Sequence, residues 1–212
     1  MRIAIFGASG ATGQMLTERA LAAGHSVSAL LRTPAGFPFR DRVRVVEGNA
    51  FDPAAVDATV AGADAVLSAL GARSLKREDV LERAVPLIVA AMERHGVRRI
   101  VALGSAGALD TALDKQTAVR RWIVEHVVYR TLLKWPVASQ RAQYAALAAS
   151  TLDWTMPMPP MLTNGSGRGR WRLDGDALPR NASRIARADV ADFMMQELTE
   201  GKWLRRGVYV AW

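Results

Sequence analysis

The stretch GASGATGQ, residues 7–14, follows directly on the strand-like run RIAIF and opens a helix-like pattern. Three glycines, Gly7, Gly10 and Gly13, stand three apart at that junction. In a strand–turn–helix unit the first glycine permits a tight turn, the second lets backbone N–H groups approach a pyrophosphate, and the third lets helix and strand pack closely. The helix N-terminus adds a partial positive charge where phosphates would sit. Glycine also serves ordinary turns. Here, however, a strand ends at Phe6 and an uninterrupted helical pattern is under way by Thr12. The spacing in that setting predicts dinucleotide binding, with the hydroxyls of Ser9 and Thr12 within reach of phosphate oxygens.

The pattern that follows supports this setting. RIAIF, a helix over 11–23, SVSALLR, VRVVEG, a helix over 53–60, DAVLSAL, a helix over 78–95 and RRIVALG alternate along the first half of the chain. Such alternation calls for a parallel sheet with helices on both faces. The pieces AAGHSV and ERHGVRRIV each end a helix at glycine and enter a strand. Beyond Gly104 the reading is SAGALD, a long helix at about 115–133, a Trp135–Pro136 turn, a second helix at about 138–150 and a sixth strand in LDWTMP. PMPPML and the glycine-rich NGSGRGR come next, then a short strand near Trp171. A helix over ASRIARADVADFMMQEL, with Asp189 as its N-terminal acid, and a strand in GVYVAW close the chain. The expected fold class is α/β, a doubly wound parallel sheet of the NAD(P)-binding Rossmann type. It forms one domain over 1–212, with a substrate side built from about 105–175.

Half of the 212 residues are hydrophobic, enough for one core. With no cysteine and three scattered histidines, a disulfide framework or thiolate metal site is excluded, and no metal is expected. The N-terminus lacks the apolar stretch of a leader, and no apolar run reaches the roughly 18 residues of a membrane span. A soluble, cytoplasmic protein without a membrane partner is therefore expected. The net charge of +8 invites a nucleic-acid reading. But the basic residues are scattered pairs, Arg98–Arg99, Arg120–Arg121 and Arg205–Arg206, plus Arg168, Arg170 and Arg172, without the interleaved aromatics on which single strands stack. A basic surface that favours an anionic small ligand is the expectation, with no nucleic acid.

The second strand's exit tests which dinucleotide binds. An acid there bonds the ribose 2′-OH of NAD, whereas an arginine accommodates the 2′-phosphate of NADP. This chain has Arg32 and Thr33, and no acid until Asp41. A hydrogen bond to a charged group contributes about 1.5–3 kcal/mol, so Arg32 alone favours NADPH by roughly ten- to a hundred-fold. Asn49 in EGNAFDP is placed to meet the adenine edge. Leu70 and Gly71, with Arg73, are placed along the ribose and pyrophosphate.

The reaction chemistry is less complete. Short-chain reductases commonly pair Tyr-x-x-x-Lys, the lysine lowering the tyrosine pKa so that it protonates a carbonyl. Tyr129 is followed by Lys134 at a spacing of five, and Tyr144 by Ala148 at four, so neither fits. His25, His95 and His126 fall where structural roles are expected. Ser105, directly after the fifth strand, stands where ligands bind in such sheets and is the candidate catalytic residue, able to orient a substrate or relay a proton.

The segments IAIFGASGATG, LLR, AGADAVLSALGAR, IVAAMERHGVRRIVALGSAGAL and DWTMPMPPMLTNGSGRGRW, followed by SRIARADVADFM, resemble the atypical short-chain dehydrogenase/reductases of the NAD(P)-binding NmrA-like group. The likeness is strongest to the biliverdin reductase B, or flavin reductase, branch. It spans nearly the whole chain. The resemblance implies bound NADP(H), with contacts at Gly7, Ser9, Gly10, Ala11, Thr12, Arg32, Asn49, Ala50, Leu70, Gly71, Ser105 and Gln140, and with Pro159, Pro160 and Met161 along the nicotinamide edge. The chain departs from that pattern at Asn49, where an acid is usual, at Met161, where the branch carries histidine, and at Met158, where bacterial relatives carry arginine. Met158 and Met161 are expected either to give an apolar, adaptable pocket or to pack in the core.

Two readings follow. The first is an NADPH-dependent oxidoreductase passing hydride to a flat conjugated acceptor such as a flavin or quinone, with Trp122, Tyr129 and Trp135 available to stack. The second is an NADP(H)-binding redox sensor without turnover. A nucleotide-sugar epimerase would need the tyrosine and lysine this chain lacks. A monomer or weak homodimer is expected.

Overall fold

A computed structural model of the chain describes residues 1–72 and 74–212. Five strands arise where the alternation placed them: β1 Arg2–Phe6, β2 Ser26–Leu31, β3 Arg44–Glu47, β4 Ala65–Ser68 and β5 Arg99–Ala102. β6 Asp153–Met158 follows, then the short β7 Met161–Thr163, β8 Arg172–Asp174 and β9 Arg184–Ala186, and last β10 Arg206–Ala211. Eight of them form one sheet in the order β3-β2-β1-β4-β5-β6-β10-β8. All pairings in it are parallel except that of β10 with the edge strand β8.

Period-two alternation splits the core between the two faces. Ile3 and Ile5 of β1 pack with Leu16 and Ala20 of α1 (Ala11–Ala22) and with Val190, Phe193 and Met194 of α6 (Arg187–Glu200). Ala4 and Phe6 point the other way. They join Val56 of α2 (Pro53–Val60), Leu81, Val85 and Ile88 of α3 (Val80–Arg94) and Leu147 of α5 (Lys134–Ala149). Burial on both sides explains why β1 and β4 read as nearly continuous apolar runs. One charged pair is buried with them: the Arg99 guanidinium meets Glu197 Oε1 at 3.1 Å and also donates to Thr155 Oγ1 and the Asp153 carbonyl.

The second half departs from the expected elements in three places. The long helix begins at α4 (Ala118–Ile123) and continues from Val124 to Leu132 as a π-helix. Trp135–Pro136 is no turn but lies in the first turn of α5, where proline's missing N–H is one the helix would leave unpaired anyway. The segment ASRIA is not helical either. Its Arg184–Ala186 portion pairs in parallel with β7, Leu162 opposite Ile185, as a separate two-stranded sheet, and α6 starts only at Arg187.

Candidate functional site

The strand order turns at β1, flanked by β2 and β4, which opens a crevice beyond the carboxyl ends of these strands. The chain leaves β1 through Gly7 with φ +75°, and a Cβ there would lie 2.8 Å from the Ala69 carbonyl carbon and oxygen. A Cβ on Gly13 would lie 2.0 Å from the Gly7 carbonyl oxygen, so α1 rests directly on the turn. Gly10 N–H donates to the Gly7 carbonyl at 3.0 Å, and Gly10 has no side chain with which to cap α1. Gln14 N–H to the Gly10 carbonyl, 2.8 Å, closes the helix's first turn. The N–H groups of Ala11 and Thr12 precede that bond at the edge of the crevice and have no partner within the helix, while Gly13 is buried behind them. This uncapped helix end behind a glycine cradle fits a pyrophosphate.

From the cradle a cavity of about 1070 Å³ runs across the ends of β4 and β5. Ser9, Gly10, Ala11 and Thr12 line one end, Leu70 and Gly71 the next stretch, and Ser105 the middle. Ser105 is extended, φ −145° and ψ 157°. It is held there because Gly104 N–H donates to the Pro157 carbonyl and Ala106 N–H to the Pro159 carbonyl, both at 2.8 Å. A Cβ on Gly104 would lie 3.2 Å from the Pro157 carbonyl oxygen and would push the Met156 side chain aside, so glycine eases this approach. The exits of β5 and β6 are thereby tied together.

The far wall comes from residues 120–140. Arg120, Val124, Val128, Tyr129, Leu133, Val137 and Gln140 all face the cavity. The wider π-turn keeps Val124, Val128, Tyr129 and Leu133 on one side, and such turns recur at functional sites. A Cβ on Gly107 would touch Tyr129 Cζ at 3.4 Å and Val137 Cγ2 at 2.7 Å, so the Tyr129 ring covers the backbone two residues beyond Ser105. Burial raises the Tyr129 hydroxyl above its ordinary pKa of 10, against the opposing pull of Arg120 and Arg141. The phenol is therefore a protonated donor at neutral pH. Arg120 brings a cation to the same wall, its guanidinium donating to Gln116 Oε1 at 2.9 Å and the Ala182 carbonyl at 2.6 Å.

Among the residues singled out from sequence, the cavity gathers Gly7, Ser9, Gly10, Ala11, Thr12, Leu70, Gly71, Ser105, Gln140 and Met161. Gly13 supports it from behind. Arg32 and Asn49 are exposed at the ends of β2 and β3, with Ala50 half-buried beside them, outside the cavity lining. The Asn49 side-chain oxygen accepts from Phe51 N–H at 3.2 Å, a turn leading into α2, which leaves its amide N–H free. Arg73 lies outside the described residues. Pro160 lines the cavity, whereas Pro159 is buried behind it.

Other expectations need correcting. Met158 is fully buried and packs toward Gly207 under β10, so it shapes the core and not the cavity. Of the three aromatics offered for stacking, Tyr129 lines the cavity, while Trp122 and Trp135 do not. The loop over 164–170 is no part of the lining. Its Arg168 and Gly169 N–H groups donate to the fully buried Asp189 carboxylate at 2.9 and 3.0 Å, and Trp212 Nε1–H donates to the same group at 2.6 Å. Leu178, Ala182, Ser183 and Arg187 take the loop's place on that side. Tyr129 is expected from the sequence as a stacking residue, and the Tyr-x-x-x-Lys motif does not find it as a proton donor because no lysine stands four residues on. The signal that finds it is its place on the cavity-facing stripe of the 115–133 helix.

Residues 7–201 match the family described as NAD(P)H-binding. The chain belongs to that family. Among curated proteins it is 27% identical over 205 residues to the uncharacterised protein YwnB of Bacillus subtilis strain 168, covering 93% of this chain and 92% of YwnB. Among solved structures, ChuY, an anaerobilin reductase of Escherichia coli O157:H7, superposes with a TM-score of 0.83 at 21% identity, covering 100% of this chain and 97% of ChuY. A short-chain dehydrogenase/reductase of Veillonella parvula DSM 2008 in complex with NADP superposes with a TM-score of 0.80 at 21% identity, covering 100% and 94%. What the chain shares with these two structures is the fold.

Proposed function

We propose that this member of the NAD(P)H-binding family is an NADPH-dependent oxidoreductase that passes hydride to a flat conjugated acceptor such as a flavin or quinone. The observation that carries the reading is the single cavity running from the glycine cradle past Ser105 to the Tyr129 wall. Ligand pockets commonly span about 300–1000 Å³, so this one has room beside a nicotinamide for a second planar molecule. Residues 1–212 act in this reading as one domain, monomeric or weakly dimeric, in the cytoplasm.

Gly7, Gly10 and the N–H groups of Ala11 and Thr12 would hold the pyrophosphate, with Gly13 letting the helix pack close behind them and the Ser9 and Thr12 hydroxyls beside them. Arg32 would take the 2′-phosphate, Asn49 and Ala50 the adenine side, and Leu70 and Gly71 the ribose. Pro159, Pro160 and Met161 would flank the nicotinamide with Gln140. When bound, the reduced nicotinamide supplies the hydride. Ser105 orients the acceptor across the floor, and the protein's chief contribution is alignment. The Tyr129 phenol stands ready to give a proton to an acceptor heteroatom, and water can do the same for flavins and quinones. The NADP complex of the Veillonella protein and the name of ChuY, an anaerobilin reductase, support the cofactor and a reductase reading.

The test is loss of nicotinamide absorbance when purified protein meets NADPH and FMN, a soluble quinone or a linear tetrapyrrole. Turnover with one of them, at lower rate with NADH, is expected. No turnover across the panel, with calorimetry showing NADP and NADPH bound tightly but unequally, would replace this reading with that of a redox sensor.

A further inference from the structure

The helix that walls the cavity is apolar on its outer side too. Val119, Trp122, Ile123 and Val127 fall on one face, each 45–71% exposed, and Leu132 and Trp135 extend the patch at 59% and 38%. No residue of α4 or of the π-helix is buried. A surface helix ordinarily turns polar residues to water, and a contiguous exposed apolar patch marks an interaction site. The His126 ring stacks on Trp122 at 5.2 Å, holding the indole on the surface.

Charge decides what covers the patch. Of the six basic residues in 115–141, Arg121 engages Asp114 and Glu125, Lys115 engages Asp174, Arg141 engages Asp110, and Arg120 turns to the cavity wall, which leaves two cations for an outside partner. Arg130 and Lys134 are exposed at the patch and have no acidic partner among the described residues. Lys134 and Arg77 both sit over the Trp135 ring, at 4.9 and 5.3 Å. A second copy docked by two-fold symmetry would set these cations against their own images. A nucleic acid meets the charge but leaves the apolar side chains unused. An anionic lipid surface takes both, apolar residues entering the headgroup boundary and cations resting on the phosphates.

We propose that residues 119–135 dock the protein on anionic membrane surfaces, with the helix lying flat and the mouth of the cavity beside it. The span-length argument that predicted no membrane partner does not apply to a helix lying in the interface plane. Among the described residues no helix is long and apolar enough to cross a membrane. Leu75, 58% exposed, lines the same cavity two residues before Arg77, whose guanidinium reaches the Trp135 ring, so the docking face adjoins the cavity mouth. The docking stands apart from the reduction chemistry, because turnover with soluble flavin requires no membrane.

The experiment is flotation of the full chain with vesicles of phosphatidylcholine alone or mixed with phosphatidylglycerol, at low and high salt. Binding at least tenfold tighter to the anionic vesicles, weakened by salt, is expected. Trp122→Asp with Ile123→Asp should lower it by tenfold or more and leave NADPH affinity unchanged. Arg130→Glu with Lys134→Glu, which spares the apolar face, should lower it as well and guards against a folding defect in the first variant. Equal binding to both vesicle types, or binding to neither, overturns the proposal. So does a dimer in sedimentation velocity that Ile123→Asp abolishes, which would assign the face to a second copy.

Discussion

At one end of the cavity, the Gly7–Gly13 turn is fixed by backbone against backbone, with spaces at Gly7 and Gly13 that no side chain can enter. At the other end, residues 118–132 contribute no buried side chain and present apolar groups both to the cavity and to the outside. Both ends face one space, yet they tolerate change differently. A site made of backbone N–H groups holds one ligand group in one place and has little freedom to vary. A wall whose cavity-facing side chains, Val124, Val128, Tyr129 and Leu133, are only half-buried, and whose outer side chains are exposed, has more room to adapt its shape than a backbone cradle. In the proposed reaction the invariant partner, the dinucleotide, meets the first construction, and the variable partner meets the second.

The sharpest way to break this contrast is Gly13→Ala. Its Cβ would sit on the Gly7 carbonyl oxygen, so the turn or the helix must move. Loss of NADPH binding by about a hundred-fold or more is expected, with destabilisation on the order of 3 kcal/mol. Calorimetry and thermal unfolding check both, and a variant that binds normally would show the cradle is not rigid. Next in size, Arg32→Ala should weaken NADPH about ten- to a hundred-fold and leave NADH unchanged. Equal losses for both cofactors would remove Arg32 from the 2′-phosphate.

On the wall the effects should be smaller. Tyr129→Phe is expected to lower turnover several-fold with little change in NADPH affinity. Its pH dependence has a definite sign. Burial holds the folded-state pKa above the ordinary value of 10, so the phenol keeps its proton throughout the neutral range and past pH 10. The wild-type rate should therefore show no decline from this group below about pH 10, and a limb near neutral pH that disappears in Tyr129→Phe would contradict the assignment. Smallest of all, Val119→Ser on the outer face should change stability by no more than about 0.5 kcal/mol, as measured by urea unfolding.

The same contrast explains what was legible in the sequence. The turn and the first five strands follow from local rules: glycine at positive φ, two-sided burial in β1 and β4, an open carboxyl edge. Arg32 stands out because it follows directly on β2, and its proposed role rests on that place alone. What escaped depends on contacts between distant segments. The helix over 115–133 is plain in its periodicity, but its π winding from Val124 is not, because hydrogen-bond register leaves no residue signature. Asp189 reads as an acid placed for a helix dipole, yet it is buried by segments some twenty residues away on either side, the 168–169 loop and Trp212. The glycines of NGSGRGR look like a ligand loop, whereas Gly167 is there because a Cβ would meet Asp189 Oδ1 at 2.5 Å. Met158 reads equally well as pocket or core, and only the position of β10 decides.

The two hydrogen bonds that join the exits of β5 and β6 make the cavity floor, with Ser105 on it, a single stiff plate. Any adjustment to acceptors of different thickness must then come from the opposite wall. Acceptors as unlike as a flavin and a quinone would be pressed against the same plate in the same orientation. The stereochemistry of hydride delivery should accordingly stay constant across substrates whose affinities differ widely, a regularity that isotopically labelled NADPH can read directly.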